Sequence, residues 1–542
     1  MKFFLAQKNF TVGDFEGNRE LILKGMREAK DAGADVVLFP EMATTGYPPM
    51  DLLFQKSFVD ANLAVVDDIV SASKDFPGML IILGFVERTD FGKRKLRNSA
   101  AVIADGKLIG TQAKTLLPTY DVFDEARYFD PACGWRIFDF KGVKLGVSIC
   151  EDLWDADYET KVIPNLKLLG AEVVVNINAS PYYLGKFFER YELIQRHVRE
   201  SGMPIVYLNL IGGQDELIFD GASMAIARDG RLCAVGKWFS DDQLLVEFSS
   251  QSMDLKGKAD VPKFDKEKEL FGALTLGTRD FVRKLGFEKV CIGPSGGIDS
   301  SVVAVIAAYA LGRENVLGVA MPSKISSSHS LEDAELLAKN LGIEFVIFEI
   351  EESVELSSRR YSKVFGDYKF GETRENLQAR ERGKILMEIA NDQRRLVLTT
   401  GNKTEYALGY ATLYGDMAGA LAPIGDLSKL EVYALARWIN ENLGAPIPAR
   451  VFTKTPSAEL SPGQVDPFDY EVVSPLVDLM VEEGLPSAEI IKRGFPAEEV
   501  KRCERLLFAS EYKRWQSAPA LKVTKKAFGI GRKMPIVNRF VP

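Results

Sequence analysis

The segment KVCIGPSGGIDSS, residues 289–301, joins a short apolar run to a helical stretch through a loop with two adjacent glycines. The apolar run 289–293 has the length and composition of a buried strand. Adjacent glycines let backbone N–H groups approach an anion closely, and a following helix adds the positive end of its dipole. The segment therefore predicts an anion-binding loop between a strand and a helix.

Strand-like and helical stretches continue to alternate on the C-terminal side of this loop. The predicted strands are 316–322, 345–350 and 395–400, and the predicted helices are about 299–311, 331–341 and 376–391. This order of strand, helix and strand predicts a doubly wound parallel sheet. Ligands of such sheets bind beyond the carboxyl ends of the strands, which is where this loop would lie.

The first half of the chain has an α/β alternation of its own. Its strand-like runs are 36–40, 79–87, 143–150, 171–180, 205–212 and 223–230, and its helical stretches are 17–32 and 186–201. Residues 251–268 are polar, lack periodicity and contain a proline, so we interpret them as a linker. The sequence predicts one domain over residues 1–250 and a second over residues 269–542.

Composition limits the class of protein. With 542 residues, 46% of them hydrophobic and 27% charged, the chain predicts a globular protein with more than one core. The net charge of −8 argues against nucleic acid as the main partner. We find no apolar run long enough to cross a membrane, and the start MKFFLAQKNF does not have the pattern of a secretory signal. We expect a cytoplasmic protein.

Cysteine and histidine are scarce. The five cysteines include no CxxC pair, which argues against a disulfide framework and a cysteine-rich zinc site. Only two histidines are present, so a histidine-rich metal site and a Ser-His-Asp triad are disfavoured. Any acid–base chemistry should therefore depend on carboxylates and lysines.

Cys150 ends the apolar run VKLGVSIC, and an apparent helix follows it directly. A strand-to-helix turn lifts a side chain out of the sheet, and a helix N-terminus favours a thiolate. A thiolate attacks an amide carbonyl when a base takes its proton and a cation stabilises the oxyanion. Glu41 and Lys114, each beside a strand-like run, are of the required types. In the alternative interpretation Cys150 is a small buried hydrophobe and the two charges are solvated.

Three motifs together extend this interpretation: FPE (39–41), KTLLPTYDVFDEARYF (114–129) and SICED (148–152). The set resembles the nitrilase superfamily of carbon–nitrogen hydrolases. The resemblance implies an α-β-β-α sandwich in which Glu41 is general base and acid, Lys114 stabilises the oxyanion and Cys150 forms a thioester. It also implies an assisting glutamate, Glu125, and three residues that hold a glutamine substrate: Tyr120, Ser180 and Lys186.

The loop SGGIDS, residues 295–300, lacks the lysine of a P-loop and fits a released pyrophosphate better than γ-phosphoryl transfer. Ser295, Ser300 and Ser301 offer hydroxyl donors, and Asp299 can hold the Mg²⁺ that accompanies phosphates. A plain strand–turn–helix junction stays the alternative. The full motif resembles the signature of the N-type ATP pyrophosphatases, which form adenylates and release pyrophosphate. Pro294 departs from that signature and removes one N–H donor.

The rest of the second half indicates the acceptor. The segments 321–343, 375–387, 397–429, 453–464 and 526–540 resemble the glutamine-dependent NAD⁺ synthetases, a ligase family that joins a nitrilase-like domain to a Rossmann-like ATP pyrophosphatase domain. The resemblance implies Mg²⁺ as cofactor, deamido-NAD⁺, ATP and glutamine as substrates, and a homo-oligomer. It places ATP contacts at Ser295, Gly296, Gly297, Ile298, Asp299, Ser300, Ser301 and Thr400. Deamido-NAD⁺ contacts fall at Asn376, Glu405 and Lys513, and metal contacts at Asp299 and Glu405.

Other interpretations stay open at this point. Asn376 and Glu405 can instead cap helices or face solvent, and His329 fits an N-terminal capping segment better than catalysis. An amidotransferase acting on another carboxylate would carry the same two chemistries. A nucleotide-binding sensor with vestigial sites, or a stand-alone amidase with a structural C-terminal domain, are the remaining rivals.

Overall fold

A computed structural model of the chain describes residues 1–540. The chain forms two compact units, the first made of Met1–Gln214 with Ile218–Phe264 and the second of Asp215–Leu217 with the residues from Asp265 onward. The stretch predicted as a linker contains a short strand at Asp254–Leu255 and the start of a helix at Lys266. That helix begins there because the Asp265 side chain accepts a hydrogen bond from the Lys268 N–H, which the polar composition of the stretch concealed.

The first unit is built of short strands and four α-helices. Its helices are α1 (Phe15–Asp31), α2 (Lys56–Ala72), α3 (Val162–Leu168) and α4 (Lys186–Ser201). Its strands are β1 (Lys2–Gln7), β2 (Val36–Leu38), β3 (Leu80–Arg88), β4 (Leu96–Ala104), β5 (Lys107–Ala113), β6 (Ile137–Phe140), β7 (Val143–Ile149), β8 (Val173–Asn178), β9 (Ile205–Asn209), β10 (Ile211–Gln214), β11 (Leu217–Asp220), β12 (Met224–Ile226), β13 (Leu232–Val235), β14 (Asp242–Ser249) and β15 (Asp254–Leu255).

Two sheets form the centre of this unit. One has the strand order β15-β14-β1-β2-β3-β4-β5 and the other β13-β12-β9-β8-β7-β6, while β10 and β11 pair separately. A single hydrophobic core takes residues from both sheets, such as Leu38 and Val102 from one and Val147 and Val175 from the other. A second core joins the latter sheet to α3 and α4, and α1 and α2 pack on the former. The predicted α-β-β-α sandwich is confirmed.

The second unit contains one sheet and many helices. Its strands are β16 (Lys289–Ile292), β17 (Val316–Ala320), β18 (Glu344–Ile347) and β19 (Arg395–Val397). Its helices are α5 (Lys266–Lys284), α6 (Ile298–Leu311), α7 (Ser328–Leu341), α8 (Glu351–Phe365), α9 (Glu372–Gln393), α10 (Lys403–Leu408), α11 (Lys429–Asn442), α12 (Tyr470–Val481), α13 (Ser487–Lys492), α14 (Ala497–Ala509) and α15 (Glu511–Arg514).

The strand order in this sheet is β18-β17-β16-β19, with every neighbouring pair parallel. The strands β17 and β18 therefore add in turn on one side of β16, and β19 then pairs with the other side of β16. The crevice at such a reversal, beyond the carboxyl end of β16, is where open parallel sheets bind ligands. The loop 293–297 lies there, as the sequence predicts.

Within residues 1–540, no helix combines the length and the apolar character that a membrane crossing requires.

Candidate active sites

Cys150 lies at the end of β7 in a strained backbone conformation. Its φ of 43° is in the left-handed region, which non-glycine residues adopt at a cost of about 1–3 kcal/mol. It begins a single 3₁₀ turn, Cys150–Leu153, and α3 starts only at Val162. The prediction that a helix N-terminus directly after Cys150 stabilises a thiolate is therefore wrong, because a four-residue turn has no comparable dipole.

Asp152 fixes this turn in place. One carboxylate oxygen accepts from the Ile149 N–H at 2.9 Å. The other accepts from the N–H groups of Thr115 and Leu116 at 2.9 and 3.0 Å. Asp152 thus ties the segment that follows Lys114 to the turn that carries Cys150, a contribution that the motif SICED did not reveal.

Lys114, Glu41 and Glu125 form a buried ionic cluster. The Lys114 ammonium lies 2.9 Å from Glu41 Oε1 and 2.7 Å from Glu125 Oε1, and the three side chains have almost no solvent exposure. One ammonium thus contacts two carboxyl groups. The structure thus brings together the predicted residues of two motifs, and Cys150 of the third lies close enough for their charges to act on its thiol.

Burial sets the proton states around Cys150. It raises the pKa of the Cys150 thiol well above its ordinary value, and the Glu41 carboxylate raises that pKa further while Lys114 lowers it. Burial acts to lower the pKa of Lys114, but Glu125 and Glu41 raise it well above its ordinary value. The resting site therefore holds a protonated thiol beside a permanent ammonium, and the thiol needs a base.

Three further groups orient the two carboxylates. Asn98 Nδ2 donates to Glu41 Oε1 at 2.6 Å, and the Ala179 N–H donates to Glu41 Oε2 at 2.7 Å. The Tyr47 hydroxyl donates to Glu125 Oε1 at 2.9 Å. Burial and the charge of Lys114 act in opposite directions on Glu125, and its pKa is raised overall. None of these partners lies near its carboxylate in sequence, so local patterns could not identify them.

Tyr120 and Lys186 lie beside an acidic residue that the sequence did not single out. The Tyr120 hydroxyl donates to both oxygens of Glu151, at 3.1 and 3.0 Å, and the Tyr158 hydroxyl donates to one of them at 3.1 Å. Burial raises the pKa of Glu151 to about 7. Lys186 Nζ lies 3.7 Å from the centre of the Trp154 ring, and burial lowers its pKa to about 7.

Ser180 follows the end of β8 and is buried. Its N–H donates to Asn209 Oδ1 at 2.9 Å, and its Oγ accepts from Arg190 Nε at 3.2 Å. The three predicted glutamine-binding residues therefore have different surroundings: Tyr120 is half-exposed, Lys186 packs on aromatic rings, and Ser180 is fixed inside the unit.

The second unit has a cavity of about 490 Å³ at the carboxyl end of β16. Nine of the predicted nucleotide-site residues line it: Ser295, Gly297, Ile298, Asp299, Ser300, Asn376, Thr400, Glu405 and Lys513. Ser301 instead lies inside α6, where its Oγ donates to the Gly297 carbonyl at 2.8 Å. Gly296 is also absent from the cavity wall.

The glycine-rich loop packs tightly against α7. Gly296 has a φ of +72°, and a Cβ at this position would come within 2.3 Å of the Ser330 carbonyl oxygen. The Ser300 hydroxyl accepts from the Ser295 N–H at 3.1 Å. The conformation of the loop thus requires glycine at position 296. The Ser295 N–H is already hydrogen-bonded within the loop.

Lys429, at the start of α11, joins the two predicted metal ligands. Its ammonium lies 2.5 Å from Asp299 Oδ2 and 3.1 Å from Glu405 Oε1. Burial opposes its charge, but the carboxylates of Asp299 and Glu405 raise the pKa of Lys429 above its ordinary value. Burial raises the pKa of Glu405 to about 7. The segment GDLSK contained Lys429, yet nothing local linked it to the loop.

The open alternatives for Asn376 and Glu405 have different outcomes. Glu405 does cap α10, since its carboxylate accepts from the Asn402 N–H at 3.3 Å, and it lines the cavity as well. Asn376 faces the cavity wall, where its Oδ1 accepts from the Thr412 hydroxyl at 2.8 Å. Lys513 Nζ donates to two backbone carbonyls at 2.7 Å, and burial lowers its pKa.

Two family models match the chain. The carbon–nitrogen hydrolase model matches residues 5–256, and the NAD synthase model matches residues 270–517. A glutamine-dependent NAD⁺ synthetase of Synechocystis sp. is 44% identical over 99% of this chain and 99% of its own length. One of Thermotoga maritima is 40% identical over 100% and 99%. This chain belongs to the glutamine-dependent NAD⁺ synthetase family.

Solved structures of NAD⁺ synthetases share the fold. The glutamine-dependent NAD⁺ synthetase of Acinetobacter baumannii, in complex with ADP, has a TM-score of 0.79 and 36% identity, with 99% of this chain and 98% of that chain covered. The enzyme of Cytophaga hutchinsonii has a TM-score of 0.85 at 22% identity, with the same coverage, and shows the fold alone. The predicted fold class and family are confirmed.

Whether the cavity of the second unit can hold Mg²⁺ depends on which side chains offer oxygen ligands. Residues 1–540 contain no group of three or more acidic, histidine or cysteine side chains placed to hold a metal ion. Asp299 and Glu405 nevertheless offer two carboxylates on the cavity wall. Mg²⁺ is commonly held by one or two carboxylates together with substrate phosphates, so these residues fit the ion when a nucleotide is bound.

Proposed function

We propose that this chain makes NAD⁺ from deamido-NAD⁺, with ATP as the energy source and glutamine as the ammonia donor. The first unit is the glutaminase and the second is the synthetase. One observation carries the proposal: a buried Glu41–Lys114 ion pair that acts on the Cys150 thiol, and a cavity lined by Ser295 and residues 297–300, occur in one chain of this family. Glutamate, AMP and pyrophosphate are the other products.

Glutamine hydrolysis begins with a neutral thiol. Glu41 takes the proton of Cys150 as the sulfur attacks the side-chain amide carbonyl of glutamine, and the Lys114 ammonium stabilises the oxyanion. The C–N bond breaks, and Glu41 returns the proton to the leaving nitrogen. Ammonia departs, and a glutamyl thioester remains on Cys150. Water activated by Glu41 then hydrolyses the thioester to glutamate and restores the thiol.

Amidation takes place in the cavity of the second unit. The nicotinate carboxylate of deamido-NAD⁺ attacks the α-phosphorus of ATP, and pyrophosphate leaves into the loop 295–300. Ammonia attacks the carbonyl of the resulting adenylate, AMP departs, and the amide of NAD⁺ remains. In this mechanism Asn376 and Lys513 contact deamido-NAD⁺ and Thr400 contacts ATP, a proposal supported by the position of all three in the cavity wall.

Asp299 and Glu405 would hold Mg²⁺ with the ATP phosphates. When bound there, the ion supplies charge neutralisation at the phosphates and at the departing pyrophosphate. The Lys429 ammonium contacts both carboxylates, and all three residues line the cavity.

A single assay tests the proposal. Purified protein with deamido-NAD⁺, ATP, Mg²⁺ and glutamine should yield NAD⁺, AMP, pyrophosphate and glutamate in equal amounts. Other nucleotide-linked or amino-acid carboxylates in place of deamido-NAD⁺ should give no amide. NAD⁺ formation without ATP consumption, or amidation of another acid in preference, would contradict the proposal.

We also infer from the family that the enzyme is cytoplasmic and acts as a homo-oligomer on these small molecules alone. Light scattering coupled to size-exclusion chromatography should give a mass that is a multiple of 60.1 kDa. A monomer that retains full activity would contradict the inferred assembly.

A further inference from the structure

Arg190 of α4 is a fully buried cation that none of the steps above uses. Each of its five N–H groups has an acceptor. Nη1 donates to both oxygens of Asp220 at 2.7 and 2.8 Å. Nη2 donates to the carbonyls of Ser180 and Pro181 at 2.8 and 3.2 Å, and Nε donates to Ser180 Oγ at 3.2 Å. Only the planar fork of an arginine can satisfy this set, because a lysine has three donors on one atom.

The partners of Arg190 fix the position of the segment around Ser180. Asp220, itself buried, also accepts from Asn209 Nδ2 at 3.4 Å. Asn209 Oδ1 accepts from the Ser180 N–H, so the N–H, the carbonyl and the hydroxyl of Ser180 are all held. The preceding residue, Ala179, donates its N–H to Glu41. The segment held by Arg190 is thus the one that contacts the proposed general base.

The direction of one hydrogen bond decides what Ser180 can recognise. Its Oγ accepts from Arg190, so its own hydroxyl proton is left for donation, to the neighbouring Tyr207 hydroxyl or to a ligand that replaces this contact. Lys186, six positions along the chain, is a second donor in this region, and after burial the charge of Arg190 is the main influence that lowers its pKa. Asp220 balances the charge of Arg190, so the hydroxyl of Ser180 and the ammonium of Lys186 are the donors that favour an anionic acceptor on the substrate.

We propose that Arg190, braced by Asp220, is a positioning residue that makes the glutaminase select its substrate by the α-carboxylate, because it directs the Ser180 hydroxyl at that group. The inference rests on the proposed function, since it takes glutamine as the substrate. A buried ion pair is weak support for stability alone, because desolvation offsets the attraction. A fixed orientation of Ser180 is what the pair adds.

The test compares glutamine with 4-aminobutanamide, which is glutamine without its carboxylate. Ammonia release gives kcat/KM for each amide in the wild type, Arg190→Lys, Ser180→Ala and the double variant. The wild type should prefer glutamine, and each single variant should lose about tenfold or more of that preference. The double variant should lose no more than either single variant, because both remove the same contact.

Arg196→Gln is the matched control. Arg196 lies on the same helix, and its partner is Asp155, at 3.2 Å. This variant should keep the wild-type preference. If Arg190→Lys lowers kcat/KM equally for both amides, or if the losses from Arg190 and Ser180 add, the residue only supports the fold and the proposal is overturned.

A second variant keeps the proposal testable if Arg190→Lys does not fold. Arg190→Gln combined with Asp220→Asn replaces the ion pair with two neutral amides, which avoids an unpaired buried charge. It should also lose the preference for glutamine while it keeps NAD⁺ synthesis from ammonium. A wild-type enzyme that makes no NAD⁺ from deamido-NAD⁺ and ammonium contradicts the proposed function instead, and a wild type that hydrolyses both amides equally overturns the selectivity proposal itself.

Discussion

The Cys150 thiol stays protonated in the free protein, because burial and the Glu41 carboxylate together raise its pKa. Many cysteine nucleophiles depend on a lowered pKa. Here the thiol is held on a strained turn, and the neighbouring Glu41 carboxylate is the proposed base. In the proposed mechanism Glu41 takes the thiol proton only as the carbonyl of the substrate arrives.

The pH dependence of glutamine use follows from two residues beside this thiol. Glu151 is charged above its pKa of about 7, and Lys186 is charged below its pKa of about 7. If glutamine binds through its ammonium and carboxylate groups, both residues must be charged, so kcat/KM for glutamine should form a bell with its maximum near pH 7.

Glutamate release measured from pH 5.5 to 9 checks this bell. Lys186→Arg should remove the alkaline limb, because a guanidinium stays charged throughout the range. A profile that is level between pH 6 and 8, or an alkaline limb that survives in Lys186→Arg, would show that these residues do not govern binding.

Lys429 allows a prediction for the second site. Its replacement by alanine removes the cation that contacts the partly buried carboxylates of Asp299 and Glu405. NAD⁺ synthesis should fall about 100-fold or more, with ammonium as well as with glutamine. Glutamate release from glutamine measured in the same preparations should change little. Equal loss of both activities would indicate misfolding rather than a site defect.

At the scale of elements, both sites depend on how strands end. β7 stops at Ile149 and β16 at Ile292, and each is followed by a short turn that presents its reactive groups. These strands were predictable because they are apolar runs. The turn after Cys150 was not, because Asp152 bonds to residues 115 and 116 and thereby favours a 3₁₀ turn over the predicted helix.

The loop after β16 can be tested through Gly296. Gly296→Ala places a methyl group 2.3 Å from the Ser330 carbonyl oxygen and adds a left-handed backbone cost of about 1–2 kcal/mol. The loop must move, so KM for ATP should rise about tenfold or more. Gly286→Ala is the control, since Gly286 has a φ of +79° with open space around it. A normal KM for ATP in Gly296→Ala would contradict the tight packing described for this loop.

At the scale of the molecule, two units carry two chemistries. Local patterns were enough to predict their fold classes and to single out Glu41, Lys114 and Glu125, which the structure brings together. They could not pair Asp299 with Lys429, which lies 130 positions away, or Glu41 with Asn98, 57 positions away. Such pairs arise from strand order and helix packing, and a single sequence carries no direct record of either.

The Cys150→Ala variant tests the central claim most directly, namely that one unit produces ammonia and the other consumes it. NAD⁺ formation from deamido-NAD⁺ and ATP is measured with glutamine and, separately, with ammonium chloride. We predict that synthesis from glutamine disappears, because no thioester can form, while synthesis from ammonium stays at the wild-type rate. Loss of both activities in a folded variant, or retention of the glutamine-dependent one, would contradict this account.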